Sequence, residues 1–229
     1  IRKEDNISKL NEENVNIYTI LAKYVYNNVF PNLYNSKSFV ELYNEKIQCR
    51  DCLIFVPGIK AINITSETLY NLIKAKNVAF LIKQETKPKE LAEWRKNNVN
   101  KKRVLVMGYS ASFSSLALEL LEKPYSDDLD VLKNETKIIV STSVIETGKT
   151  ITTLLFCIDV GLNTKTVYNP LIYKQGLNVL IQVPENKAQR TQRKGRCGRQ
   201  SNGFYLQFFS DETFKNFDDF DTPETVNNG

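Results

Sequence analysis

Leu53-Ile54-Phe55-Val56-Pro57-Gly58 is a short apolar run closed by a turn signal. A strand with one wet face alternates apolar and polar residues, whereas a strand covered on both faces has no polar face to show. This run does not alternate, so it reads as a doubly buried strand that stops at Pro57-Gly58. The same grammar recurs outward along the chain. Val78–Ile82, Arg103–Met107, Lys137–Ser141, Leu154–Ile158, Val179–Val183 and Phe204–Phe208 read as further strands. Helical stretches lie between them: one centred on Leu69, Leu72 and Ile73, then Pro88 to Asn97, Phe113–Leu121 and Glu185–Lys194. Pro88 suits a first turn, where its missing N–H costs little. Strands alternating with helices imply the α/β class, a mostly parallel sheet flanked by helices. Ligands of such sheets sit at the carboxyl ends of strands. Function is therefore expected in the loops after Val56, Met107, Ser141, Ile158 and Val183.

Two regions depart from the alternation. Ile17, Ile20, Leu21, Tyr24, Val25 and Val29 recur at helical spacing, which predicts an amphipathic helix over residues 11–29 that Pro31 ends. Between residues 160 and 182 the pattern breaks into β-prone pieces, Thr164–Tyr168 and Asn178–Gln182, around Asn169-Pro170. That predicts a β-hairpin projecting from the sheet.

The 229 residues suffice for one large domain, and 41% hydrophobic with 25% charged residues is ordinary for a globular protein. A formal charge of +5 leans mildly towards polyanions. No apolar run approaches the ~18 residues that span a bilayer, so no membrane partner is expected. The first residues carry no secretory leader pattern. Cys49-Arg50-Asp51-Cys52 is a C-x-x-C, but the chain has no histidine, and Cys157 and Cys197 lie far away in sequence. No metal site is expected; the thiols read as buried or inert ones of a reducing, intracellular compartment.

Gln192-Arg193-Lys194-Gly195-Arg196-Cys197-Gly198-Arg199 packs three arginines and two glycines into eight residues. A solvated basic helix end is the bland reading. Glycine inside a helix costs roughly 1 kcal/mol relative to Ala, so two glycines suggest a close backbone approach. On helical geometry Arg196 and Arg199, three apart, share a face. Two planar guanidiniums side by side suit a triphosphate.

This stretch resembles the Q-R-x-G-R-x-G-R signature of superfamily 2 helicases, with every fixed position present. The resemblance implies that Gln192 helps place the hydrolytic water or γ-phosphate. It implies that Arg196 and Arg199 are arginine fingers, and that Arg193 is structural. Ser141-Thr142-Ser143-Val144-Ile145-Glu146-Thr147-Gly148-Lys149-Thr150-Ile151 is not a phosphate-binding loop, because position 143 is Ser where that loop needs Gly. It resembles instead the fifth motif of DEAH-type and related viral DExH helicases, at Thr142, Glu146, Thr147, Thr150 and Ile151. That implies nucleic-acid contacts from Thr142, Ser143 and Thr147, and nucleotide contacts from Gly148 and Thr150 beside Arg196 and Arg199. Thr152 stands where the family often has Asp. Leu53–Gly58 is similar to the fourth motif, which implies that Gly58 and Lys60 approach a phosphodiester backbone. Cys157–Leu162 followed by Val167-Tyr168-Asn169-Pro170 follows the pattern leading into a strand-separating hairpin. Phe204-Tyr205-Leu206 and Thr222-Pro223-Glu224 extend the resemblance.

The chain is thus identified by resemblance as the second, C-terminal RecA-like domain of a DExH/DEAH-type helicase, nearest the DEAH and large-DNA-virus, poxvirus-like group. Residues 1–50 are expected to form a leading helix and linker packed on the core, 51–215 the RecA-like domain, and 216–229 the start of a link onward. Neither a Walker A loop nor a D-E-x-H box occurs. ATP or another NTP with Mg²⁺ is therefore expected to be completed by an N-terminal RecA-like domain of the same protein, and this chain alone is expected to be inactive. Single-stranded RNA or DNA is the expected partner of a monomer in the cytoplasm, a viral factory or a virion. The rival is a helicase-like nucleic-acid-binding module that has lost its chemistry.

Overall fold

The computed structural model describes residues 16–34, 50–110, 115–122, 134–146, 151, 153–169, 177–198 and 202–220. β1 (Asp51–Phe55) is the strand on which the sequence reading rests, and all five of its residues are buried. It leads through α3 (Ile59–Lys74) to β2 (Val78–Ile82), α4 (Pro88–Asn97), β3 (Arg103–Tyr109), α5 (Ser115–Glu122) and β4 (Glu135–Ser141). A 3₁₀ turn (Ser143–Glu146) precedes β5 (Leu154–Asp159). Then follow β6 (Leu162–Asn169), β7 (Leu177–Pro184), α6 (Lys187–Lys194), β8 (Phe204–Gln207) and α7 (Asp211–Lys215). Among the described residues, six strands form one sheet in the order β2-β3-β4-β1-β5-β8. Every pairing in it is parallel. β6 and β7 pair antiparallel from Leu162↔Pro184 to Asn169↔Leu177, the expected hairpin; Val179–Val183, read also as a strand of the main sheet, belongs to this ribbon instead, so the loop after Val183 is not at the carboxyl edge of that sheet.

Successive residues of a strand point to opposite faces, and the core divides accordingly. Ile54, Val106 and Ile138 pack with α3 on one face; Leu53, Phe55, Leu105 and Ile139 pack with α4 and α5 on the other. Each fully buried Leu, Ile or Phe contributes roughly 1.5–3 kcal/mol by leaving water. At the amino edge, polar side chains fix the strands. Asp51 Oδ1 accepts from Lys137 N at 2.8 Å, and its Oδ2 accepts from Thr153 Oγ1. Arg95 bonds Glu135 at 2.5 and 2.9 Å.

The leading helix differs from expectation. α1 (Ile17–Tyr24) widens into a π turn (Val25–Val29) and continues as α2 (Phe30–Tyr34), so Pro31 does not end it. A proline ring would clash with the carbonyl four residues earlier in a regular helix. Phe30 N–H bonds Val25 O instead, and that wider turn accommodates the ring. The buried side, Tyr18, Leu21, Ala22 and Val25, packs against α3.

Candidate nucleotide and nucleic-acid site

The carboxyl ends of β1 and β4 are adjacent, and Val56 N–H donates to Ser141 O at 2.8 Å. Gly58 is the extended N-cap residue of α3, and Lys60 lies exposed in its first turn. Thr142 and Ser143 follow β4, where Ser143 opens the 3₁₀ turn. The Ser141 hydroxyl donates to Thr142 O at 3.0 Å and orients that turn. Gly58, Lys60, Thr142 and Ser143 therefore sit on neighbouring strand ends, which lie ~4.8 Å apart in any sheet. Thr147, Gly148 and Thr150 lie outside the described residues.

Asn186 caps α6: its Oδ1 accepts from Gln189 N at 2.7 Å, and Gln189 Oε1 accepts from Asn186 N at 3.1 Å. This reciprocal pair starts the helix two residues later than the apolar pattern suggested. α6 packs against the Ser143–Glu146 turn and β5. Gln192 on it is exposed and Arg193 is buried. Of the pair Arg196 and Arg199, expected to share a helical face, only Arg196 is among the described residues, and it lies past the end of the helix. The helix ends at Lys194, Arg196 sits half-buried in the turn beyond, and Gly198 has φ +78°. A left-handed residue reverses the helical path, which is why a glycine is needed there. Arg199 lies outside the described residues.

Arg193 organises the junction beneath. Its Nη1 lies 2.8 Å from Asp159 Oδ1, 2.7 Å from Glu185 Oε2 and 3.2 Å from Leu162 O. Its guanidinium also stacks over Phe55 at 4.9 Å. Asp159 further accepts from Gly161 N at 2.9 Å and from the Tyr205 hydroxyl at 2.8 Å. Burial, then the Asp159 carboxylate, push the Tyr205 phenol far above its usual range, so it stays a donor. The sequence reading did not single out Asp159 and Glu185 as a pair. The available signal was a carboxylate closing an apolar strand, which burial obliges to find a cation.

The cysteines that seemed isolated converge on the same layer. Cys157 Sγ donates to Arg193 O and Cys197 Sγ to Phe204 O, each at 3.5 Å. Burial raises the Cys52 and Cys157 thiols well above their ordinary value, so they are poor nucleophiles and metal ligands. Among the described residues no group of three or more His, Cys, Asp or Glu is placed to hold a metal ion. No helix there is long and apolar enough to cross a membrane. Among the described residues the ends of β1 and β4 carry the Lys60 ammonium and the Thr142 and Ser143 hydroxyls, donors suited to phosphates.

No protein-family model matches the chain. Over 105 residues it is 35% identical to the human ATP-dependent RNA helicase DHX33, covering 44% of this chain and 14% of that protein. Over 90 residues it is 34% identical to the human ATP-dependent RNA helicase DHX29, covering 39% of this chain and 6% of that one. The chain thus spans a small part of the relatives it matches. The solved Escherichia coli DExH-box NTPase HrpB superposes on 76% of this chain and 17% of its own, with a TM-score of 0.54 and 21% identity. The fold is the RecA-like α/β arrangement with an antiparallel hairpin, and the resemblance to DExH/DEAH-type helicases is matched by relatives of that kind.

Proposed function

We propose that this chain is the C-terminal motor domain of an NTP-dependent helicase, supplying cations to a nucleotide held mainly by a second RecA-like domain and gripping the nucleic-acid backbone. The observation that carries this reading is the seat of Gln192 and Arg196. Gln192 lies exposed on α6, which packs against the Ser143–Glu146 turn at the carboxyl end of β4, and Arg196 follows in the turn just beyond that helix. Relatives named ATP-dependent RNA helicases support it and make RNA the first strand to test.

In this reading Arg196 and Arg199 stabilise the charge that develops on the transferred phosphoryl group, and Gln192 orients the attacking water. Such arginines contribute ~10³–10⁵ in rate. Gly148 and Thr150 contact the nucleotide. Gly58, Lys60, Thr142, Ser143 and Thr147 hold phosphodiester oxygens, so the grip is insensitive to sequence and sensitive to salt. The exposed β6–β7 hairpin parts the strands. Mg²⁺ does not fit the carboxylates described at this junction: Asp159 and Glu185 are buried against Arg193. Its ligands belong to the partner domain. Domain closure brings the arginines onto the phosphates, and loss of the γ-phosphate contact releases them.

The test is Arg199→Ala and Arg196→Ala in the intact protein. Each is expected to lower NTPase turnover at least 10³-fold and to leave single-strand affinity within about three-fold, since Lys60, Thr142 and Ser143 are untouched. Turnover that survives within a few-fold refutes the finger assignment.

A further inference from the structure

We propose that the Asp159–Arg193–Glu185 cluster is the mechanical link through which α6 sets the position of the β6–β7 hairpin. This rests on reading α6 as the arginine-finger helix and the hairpin as the strand-separating element. The chain connectivity motivates it. The hairpin is inserted between the end of β5 and the start of α6, and its two feet meet where Glu185 N–H donates to Gly161 O at 3.0 Å. Arg193 comes from the last turn of α6 and returns to both feet. It binds Leu162 O at the outgoing foot, the Glu185 carboxylate at the returning foot, and Asp159 at the strand end.

Other bonds also reach the described part of the hairpin. The Thr164 hydroxyl donates to Pro57 O, and the Tyr18 hydroxyl donates to Gln182 at 3.1 Å. Both are neutral, partly exposed bonds that water can replace at little cost. Arg193 is different: its side chain is 1% exposed and both carboxylates are 0% exposed. Charges in so dry a place tolerate no separation, because neither partner finds water if they part. A movement of α6 therefore carries both feet with it. Arg193 and Glu185 are positioning residues in this account and touch neither nucleotide nor strand.

The experiment uses the intact protein with Glu185→Gln, read three ways. NTP turnover stays within about three-fold, and duplex separation falls at least ten-fold. In the unsubstituted protein a non-hydrolysable NTP analogue alters hydrogen exchange at the amides of residues 162–169 and 177–184. In the variant that response drops below about a third, which a merely structural role would not produce. Arg193→Lys keeps the charge but loses the guanidinium whose Nη1 meets both carboxylates and the Leu162 carbonyl while its plane lies over Phe55, and is expected to match Glu185→Gln. A hairpin that still answers to nucleotide in both variants, or turnover that falls in step with duplex separation, overturns the link alone. An unsubstituted protein without turnover overturns both the link and the motor reading beneath it.

Discussion

Replacing Arg193 by Met, of similar length and without charge, probes the junction most sharply. The substitution removes the cation paired at 2.8 and 2.7 Å with Asp159 and Glu185, two carboxylates with no exposed surface. It also removes the donor to Leu162 O and the partner of the Phe55 ring. Deleting one member of a buried ion pair costs about 3–5 kcal/mol, chiefly because the remaining charge is stranded. Two stranded carboxylates put this case at the upper end. A domain is stable by only ~5–15 kcal/mol, so the loss is a large share of the total. Urea denaturation at neutral pH measures it through the single tryptophan, Trp94, which packs on Phe80 at 5.2 Å, away from the junction. With a urea slope of about 2–3 kcal/mol/M for a chain of this size, the midpoint falls by about 2 M. The triple variant Arg193→Met, Asp159→Asn, Glu185→Gln strands no charge and recovers at least half of that loss. A single-variant shift below about 0.3 M, or a triple variant no better than the single, refutes the reasoning.

Gly161 has φ +72° and a Cβ there would stand 2.6 Å from Phe209 Cδ1, so Gly161→Ala lowers stability by about 1–3 kcal/mol in a thermal melt. The Tyr205 phenol has a raised pKa when folded, so its contribution is complete below the ordinary value of 10.0 and is lost as pH climbs above it. Unfolding midpoints of the parent chain therefore decline more steeply above pH 10 than those of Tyr205→Phe. Lys60→Ala weakens single-strand binding about three- to ten-fold and flattens its salt slope by roughly one, measured by fluorescence titration at several salt concentrations. Cys197, half-buried, reacts with a thiol reagent in the folded chain, whereas Cys52 and Cys157 react only in denaturant.

The strands were legible because burial on both faces forces continuous apolar runs, and Leu53–Val56 or Lys137–Ser141 tolerate little else. The start of α6 was placed two residues early at Glu185; the Asn186–Gln189 capping pair that fixes it is present in the sequence but was not read there. The path beyond Lys194 was not legible. Helical spacing assumes that the helix continues, and Gly198 breaks it through a backbone angle that spacing does not encode. Pro31 misled for a related reason, since a π turn relieves the clash that ends an ordinary helix. Asp159, Glu185 and Arg193 could be read singly as a strand end, a helix start and a motif arginine. Their meeting depends on the hairpin folding its feet together, a tertiary event with no local signature.

The central claim is that this chain supplies donors to a nucleotide whose binding and metal chemistry are completed by another domain. Nucleic-acid-stimulated NTP hydrolysis, measured in parallel for the 229-residue chain alone and for the intact protein, tests it directly. The account predicts turnover by the intact protein and none above background by the chain alone. Sustained, RNA-stimulated turnover by the purified chain contradicts it.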